Sequence, residues 1–193
     1  MKQATIVDLP SHNSAVIEAT ARLLMIGFRE FAPNAWPDLA SALEEVHESL
    51  EGDRISRIML SDVGQVLGWI GGICQYDVHG WELHPLVVSP DYQRQGIGRR
   101  LVADLEIQVG QRGGTTLYLG TDDETGLTSL AGIDLYPNPL EHLMRIQNLG
   151  GHPYSFYQKV GFTVVGVLPD ANGPGKPDIF MAKRIVGSEF QTN

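Results

Sequence analysis

The chain has 193 residues, 42% of them hydrophobic and 19% charged, which is ordinary for a globular domain large enough to bury a substantial core. Its formal net charge of −9 argues against nucleic acid as a partner, because phosphate binding requires a basic face, and it suits a cationic substrate. No apolar run is long enough to span a membrane, no signal-peptide pattern opens the chain, and Cys74 stands alone. We therefore expect a protein of the reducing cytoplasm with no membrane association and no thiolate metal cluster.

The first part of the chain, to residue 121, predicts strands and helices in alternation. Alternating apolar residues indicate a strand at 5–9, and Asp38 is placed to cap a helix with one apolar face that runs to about Leu50. The other predicted elements of this part are a helix ending near residue 30, strands at 55–63, 66–75, 81–88 and 115–121, and a helix ending near residue 111.

The second part of the chain contains a long insertion at about 122–153. Loops of this length in a compact domain are usually functional or disordered, but the many leucine and isoleucine residues favour an ordered insertion with a helical pattern at 140–149. The remaining predicted elements are a short helix stopping at Gly161, strands at 162–168 and 178–185, and a Gly-Pro-Gly loop at 170–177. We predict a single domain over 1–193 that carries the insertion.

The segment with the clearest chemistry is Gln93-Arg94-Gln95-Gly96-Ile97-Gly98-Arg99-Arg100. It follows an apolar strand and opens a helix, so backbone N–H groups gather at the positive end of a helix dipole, where an anion such as a pyrophosphate binds. Gly96 and Gly98 lack a Cβ and allow a ligand to approach the backbone closely. The segment is neither a P-loop nor a dinucleotide fingerprint, because no Gly-Lys-Ser/Thr run occurs and Leu101 stands where the third glycine would be.

A second motif lies downstream, and the two together resemble a known family. This motif is Tyr154-Ser155-Phe156-Tyr157-Gln158-Lys159-Val160-Gly161-Phe162, a helix followed by a strand. A Q-x-x-G-x-G loop followed by F-Y-x-K-x-G-F is similar to the GNAT N-acetyltransferase superfamily. The resemblance implies an α/β (α+β) fold, in which a twisted, mixed, mostly antiparallel sheet has helices on both faces.

The resemblance also implies acetyl-coenzyme A (acetyl-CoA) as co-substrate, and no metal. In the family, loop amides hold the pyrophosphate, a backbone amide of the preceding strand holds the acetyl oxygen, and the tyrosine matching Tyr157 protonates the leaving thiolate. The residues expected to bind acetyl-CoA are therefore Val88, Gln93, Arg94, Gln95, Gly96, Ile97, Gly98 and Arg99.

Four side chains are candidates for the base that takes a proton from the acceptor amine. Glu82 and His84 lie two positions apart on the strand before the loop, so they share one face, and many relatives take the base from this strand. Asp122 and Asp123 close the strand at 115–121, where the alternative is that they cap the insertion. The sequence leaves the choice among the four open.

The insertion and the acidic loops resemble the aminoglycoside 6′-N-acetyltransferase branch, which modifies an antibiotic amine and so points to antibiotic resistance. An aminoglycoside is a polycation, and the residues expected to bind it are Trp36, Glu82, Asp122, Asp123 and Asp178. The alternatives are a GNAT enzyme for a polyamine, an amino acid or a protein N-terminus, and a non-catalytic module that binds acetyl-CoA. Relatives often dimerise, so the possibility that this chain forms a homodimer stays open.

Overall fold

A computed structural model describes residues 4–185, which form two compact units. The N-terminal unit comprises residues 4–117 together with 184–185, and the C-terminal unit comprises Tyr118–Lys183. The predicted insertion lies wholly within the C-terminal unit. The single domain over 1–193 stays a prediction. Within residues 4–185, no helix has both the length and the apolar character needed to cross a membrane.

The N-terminal unit is built on four antiparallel strands that pair in sequence order. They are β1 (Thr5–Asp8), β2 (Ile55–Leu60), β3 (Val66–Tyr76) and β4 (Gly80–Val88). The helices of this unit are α1 (Ser14–Phe28), α2 (Leu39–Glu48) and α3 (Ile97–Gln111), with a short 3₁₀ helix at Pro90–Tyr92. The elements predicted up to residue 111 are all found here, with ends that differ by a few residues.

Side-chain caps fix where the first two helices begin. Asn13 Oδ1 accepts a hydrogen bond from the Val16 amide at 3.2 Å, and Asp38 Oδ1 accepts one from the Ser41 amide at 2.9 Å. Each bond satisfies an N–H group that has no partner within its helix. Asp38 therefore caps α2, as the sequence predicts.

Helices cover both faces of this four-stranded sheet. Trp69 of β3 is fully buried in a core with residues of α1 and α2. The preceding residue, Gly68, faces α3, because a Cβ placed on it would lie about 3 Å from side-chain atoms of Leu101 and Ile97 (2.9 and 3.1 Å). Neighbouring residues of a strand point to opposite faces, so α1 and α2 pack on one face and α3 on the other.

A register shift between β3 and β4 changes which residues of β4 face α2. Leu83 pairs with Gly72 and Val88 pairs with Gly68, but Gly71 has no partner in the ladder. A Cβ on Gly71 would lie 2.1 Å from the carbonyl oxygen of His84, so only glycine fits this close approach. The shift places His84 on the opposite face from Val88, although simple alternation predicts one face for both.

The C-terminal unit contains most of β5 (Thr116–Asp122) and the order β5-β7-β6, in which β6 (Thr163–Leu168) pairs antiparallel with β7 (Asp178–Arg184). Its helices are α4 (Pro139–Leu143) and α5 (Tyr154–Lys159). With these strands and the helices on both faces of β1–β4, the predicted α/β class with a mostly antiparallel, mixed sheet is confirmed.

The helix predicted over 140–149 is wrong in length, since α4 ends at Leu143. Backbone groups beyond it bond to the first half of the insertion instead of continuing the helix. The Gln147 amide donates to Ser129 Oγ at 2.9 Å, and the Leu149 amide donates to the Leu127 carbonyl at 2.8 Å. Apolar periodicity identified an ordered segment but could not reveal these longer-range bonds.

Candidate active site

The loop before α3 exposes backbone N–H groups at the start of that helix. Gly96 is the N-cap of α3 with φ of 84°, and no side chain caps the helix. Arg94 is also left-handed, with φ of 59°. A Cβ built on Gly96 would meet no atom within 4 Å, so the space beside Gly96 is open. The arrangement suits a pyrophosphate, because the helix dipole and unpaired N–H groups both favour an anion.

The arginines near this loop differ in their availability to an anion. Arg100 Nη2 donates to the Ala4 carbonyl at 2.7 Å, which ties this side chain to the residue before β1. Arg94 and Arg99 are exposed at the loop. Of the three, Arg94 and Arg99 are therefore placed to add positive charge beside the amides.

The end of β4 presents a backbone N–H group that is not used by β3. The Ser89 amide donates to the Leu67 carbonyl at 2.9 Å, so Ser89 and Leu67 occupy a hydrogen-bonded position beside the ladder. The next pair, Val88 and Gly68, is then a pair without mutual hydrogen bonds, and the Val88 N–H points away from β3. Val88 thus meets the geometric condition for a donor to an acetyl carbonyl.

A polar cluster lies on the face of β4 that is turned towards α2. Glu82 and His84 are both half-buried, and Glu82 Oε2 accepts a hydrogen bond from Gln75 Nε2 at 3.1 Å. His84 Nε2 lies 3.7 Å from Glu45 Oε1 of α2, and its ring centroid lies 5.9 Å from that of Trp36. This cluster, the acceptor face, joins residues that the sequence predicts (Trp36, Glu82 and His84) to Glu45, which the sequence analysis missed.

Electrostatics of the acceptor face favour a basic imidazole. Burial alone would lower the pKa of His84, but the carboxylates of Glu45 and Glu82 outweigh it and raise that pKa above its usual value. The His84 ring in turn lowers the pKa of Glu45, and this effect exceeds the opposing effect of burial. Glu45 therefore stays ionised when His84 takes up a proton.

In the C-terminal unit, Tyr157 is held in an aromatic cluster on α5. Its ring makes edge contacts with Phe156 and Phe162, at centroid distances of 5.3 and 5.6 Å. Only 9% of the residue is exposed, and burial raises the pKa of Tyr157. The phenol therefore keeps its proton at neutral pH.

The chain matches a known family. The family model of the acetyltransferase (GNAT) family matches residues 21–136, which include β2, β3, β4, the glycine loop and α3. The chain belongs to the acetyltransferase (GNAT) family. Members of this family use acetyl-CoA, in agreement with the anion-binding geometry of the loop.

Solved structures resemble this GNAT chain over nearly its whole length. An aminoglycoside 6′-N-acetyltransferase complexed with coenzyme A is 43% identical with a TM-score of 0.86, and the match covers 96% of this chain and 99% of that one. The aminoglycoside 6′-N-acetyltransferase from Enterococcus faecium is 42% identical, with the same TM-score of 0.86 and the same coverage of 96% and 99%. The resemblance to this branch is confirmed.

A curated relative acts on a different kind of amine. The [ribosomal protein bS18]-alanine N-acetyltransferase of Escherichia coli K12 is 33% identical over 93 residues, or 48% of this chain. The match spans 59% of the length of that relative. It is therefore much less complete than the matches to the aminoglycoside enzymes.

The three predicted aspartates lie together in the C-terminal unit but differ in their surroundings. Asp122 Oδ1 accepts a hydrogen bond from Asn172 Nδ2, which links the end of β5 to the 170–177 loop. Asp178 begins β7, and its carboxylate fits against Gly120, where a Cβ would lie 2.5 Å from Oδ2. Asp122 is exposed and Asp178 half-buried, so both remain candidates for contact with a substrate.

The structure gives Asp123 a capping role in place of the predicted contact with substrate. Its two carboxylate oxygens accept hydrogen bonds from the Leu127 and Thr128 amides at 2.8 and 2.7 Å, and only 1% of the residue is exposed. A carboxylate that is buried and bonded in this way cannot reach a substrate. It instead fixes the first turn of the insertion.

The other end of the insertion is fixed by Asn148 and His152. Asn148 donates to Ser155 Oγ at 2.7 Å and accepts from the Gly151 amide at 2.8 Å. Burial lowers the pKa of His152, whose neutral ring accepts from the Tyr154 amide and donates to the Asp122 carbonyl, at 3.2 and 3.0 Å. These bonds hold the insertion against β5 and α5.

Replacing Asp123 by alanine is expected to lower the free energy of unfolding by about 3 kcal/mol, because two backbone N–H groups would lose their acceptors, one of them fully buried. Urea denaturation measures this loss. Asp134→Ala is the matched control, since Asp134 is exposed and caps a single amide, that of Tyr136 at 2.9 Å. Equal losses in the two variants would contradict the role assigned to Asp123.

Glu45 is the main residue of the acceptor face that sequence reasoning missed. It lies three residues after Ala42 and four residues before Ser49, the C-cap of α2, and both of these residues are buried. An acidic residue on a buried face almost always has a polar partner, so this spacing was the available signal. The partner itself, His84, is on a distant strand and could not be read from the sequence.

Proposed function

We propose that the chain transfers an acetyl group from acetyl-CoA to the 6′-amino group of an aminoglycoside. The observation that carries this proposal is the similarity to aminoglycoside 6′-N-acetyltransferases, at 42–43% identity over 96% of the chain. The acceptor face supports it, because two carboxylates and an aromatic ring suit a cationic amino sugar. The net charge of −9 would also draw a polycation towards the protein.

The glycine loop would hold acetyl-CoA by its pyrophosphate. The donors proposed are the backbone amides from Arg94 to Arg99, with the side chains of Arg94 and Arg99 adding charge. When bound, acetyl-CoA supplies an acetyl group activated as a thioester. The Val88 N–H would donate to the acetyl carbonyl oxygen, and a donor preorganised in this way is worth about 3 kcal/mol in other acyl transfers.

Two proton movements then complete the reaction. We assign the removal of a proton from the acceptor amine to His84, because an imidazole titrates nearest to neutral pH and its pKa is raised by two carboxylates. Glu82 would bind the cationic acceptor by charge, with Trp36, Asp122 and Asp178 as further contacts. Tyr157 would protonate the leaving thiolate.

Release of free thiol from acetyl-CoA tests the proposed function, with kanamycin, tobramycin, spermidine and a peptide bearing an N-terminal alanine as separate acceptors. We expect thiol release with the two aminoglycosides. Release with spermidine or the peptide alone would keep the acetyltransferase chemistry and discard the aminoglycoside. The peptide is included because of the similarity to the bS18-alanine enzyme. Binding of acetyl-CoA without any release would favour a non-catalytic module.

Location and assembly follow as lesser parts of the proposal. We place the protein in the cytoplasm, where acetyl-CoA is available, and the single Cys74 is compatible with that compartment. A homodimer remains a prediction from the resemblance. Sedimentation at several protein concentrations would test it.

A further inference from the structure

We propose that Glu45 is a positioning residue for His84, which holds the imidazole by its Nε2 and thereby leaves Nδ1 as the proton acceptor. The inference rests on the proposed function, in which His84 is the base, and it assigns both the atom that accepts the proton and the residue that makes it basic. Glu45 belongs to neither of the two motifs that identify the family.

Contacts from two elements fix the His84 ring. Glu45 Oε1 lies 3.7 Å from His84 Nε2, an ion-pair distance slightly too long for a full hydrogen bond. On another side lies the ring of Trp36, whose own position is fixed by an edge contact with Phe28 at 4.8 Å. The side chain of His84 is 40% exposed and that of Glu45 only 17%, so the imidazole is the more accessible of the two to a substrate.

The position of Glu45 is itself well determined. Its helix, α2, is capped by Asp38 and anchored by Ala42 and Val46, both fully buried in the core beside Glu45. Only 17% of the Glu45 side chain is exposed, so its surroundings leave it few other conformations. The site is therefore preorganised for an imidazole before any substrate binds.

This geometry assigns the proton on the neutral ring. A neutral imidazole carries one N–H, and the nitrogen that faces a carboxylate carries it, so Nε2 is the donor and Nδ1 has the lone pair. In the proposed step an N–H bond of the acceptor ammonium breaks and an Nδ1–H bond forms. The amine keeps the electron pair with which it attacks the acetyl carbon, and the charge passes to an imidazolium that lies against Glu45.

Three charged groups act on the His84 ring. Glu45 on α2 and Glu82 on β4 favour the imidazolium, whereas Arg54, in the segment between α2 and β2, disfavours it. Arg54 also forms an ion pair with Glu48 at 3.4 Å, which reduces its effect on the ring. Glu45 contributes more than Glu82, because it acts on the ring both through its contact with Nε2 and through its charge.

Titration of the free protein, followed by NMR of the His84 ring nitrogens, tests the assignment without turnover. In the unsubstituted protein we expect the tautomer with the proton on Nε2. In Glu45→Gln, which keeps the size of the side chain but not its charge, the midpoint of His84 should move to lower pH. Glu44→Gln is the matched control, since it removes the same charge from an exposed neighbour on α2. An Nδ1–H tautomer, or equal midpoints in the two variants, would overturn the proposal.

Kinetics of thiol release provide the second readout. For Glu45→Gln we expect kcat to fall about tenfold, a part of the roughly 10²–10⁴-fold that a positioned acid or base contributes, and the pH profile to shift to lower pH with the His84 midpoint. Glu45→Asp keeps the charge, so it should restore part of the lost kcat and reverse part of the shift in the pH profile. If the NMR prediction holds but no aminoglycoside is acetylated, the proposed function is contradicted and the contact between Glu45 and His84 stands. If acetylation occurs but Glu45→Gln changes neither the titration midpoint of His84 nor the pH profile of thiol release, the role of Glu45 is contradicted and the proposed function stands.

Discussion

Replacing Tyr157 by phenylalanine is expected to lower kcat about 100-fold while the Kd for acetyl-CoA changes little. The substitution removes only the hydroxyl, and the aromatic contacts with Phe156 and Phe162 remain. Burial raises the pKa of Tyr157, so the phenol holds its proton at neutral pH, and its proposed role is to donate that proton to the departing thiolate. Loss of this donor leaves the thiolate to depart without a proton.

Thiol release at saturating substrates measures kcat, and calorimetry measures the binding of acetyl-CoA. Tyr154→Phe is the matched control, because Tyr154 is a buried tyrosine of the same helix, and we expect it to retain kcat. A Tyr157→Phe enzyme with unchanged kcat would remove Tyr157 from the role of acid. A large loss of acetyl-CoA binding would instead indicate that the hydroxyl holds the co-substrate.

Replacing His84 by glutamine is expected to lower kcat/KM for the aminoglycoside about 100-fold at neutral pH, the loss typical of a general base. Only the neutral form of His84 can accept a proton. In the unsubstituted enzyme, kcat/KM should therefore rise as the pH increases through the pKa of His84. Because that pKa is raised in the folded protein, the rise occurs above the pH at which an ordinary histidine titrates. His84→Gln should abolish this rise.

His79→Gln is the control for the loss of an imidazole, since His79 is exposed in the turn between β3 and β4. The double variant Glu45→Gln/His84→Gln should lose hardly more activity than His84→Gln alone, because the two side chains act as one unit. A pH profile that keeps its rise in His84→Gln would contradict the role of His84 as the base.

Local signals in the sequence were sufficient for much of the fold and for the anion-binding loop. The cap at Asp38, the strand before the loop and the left-handed Gly96 all follow from residues near to one another in the chain. The pairing of Glu82 and His84 on one face of β4 was likewise predictable from a spacing of two.

What the sequence could not supply depends on contacts between distant residues. The register shift opposite Gly71 turns His84 towards α2, and no local pattern indicates it. The partner of His84 on α2 and the capping role of Asp123 are hidden for the same reason. A carboxylate looks alike in sequence whether it faces a substrate or binds two backbone amides, and only its hydrogen bonds distinguish the two.

The most direct test of the proposed function is to locate the acetyl group on the product. Kanamycin would be incubated with the protein and ¹³C-acetyl-CoA, and two-dimensional NMR of the purified product would identify the nitrogen that carries the label. We predict a single acetyl group on the 6′-nitrogen. A label on another amine would contradict the assigned regiochemistry, and kanamycin recovered without any label would contradict the proposed function itself.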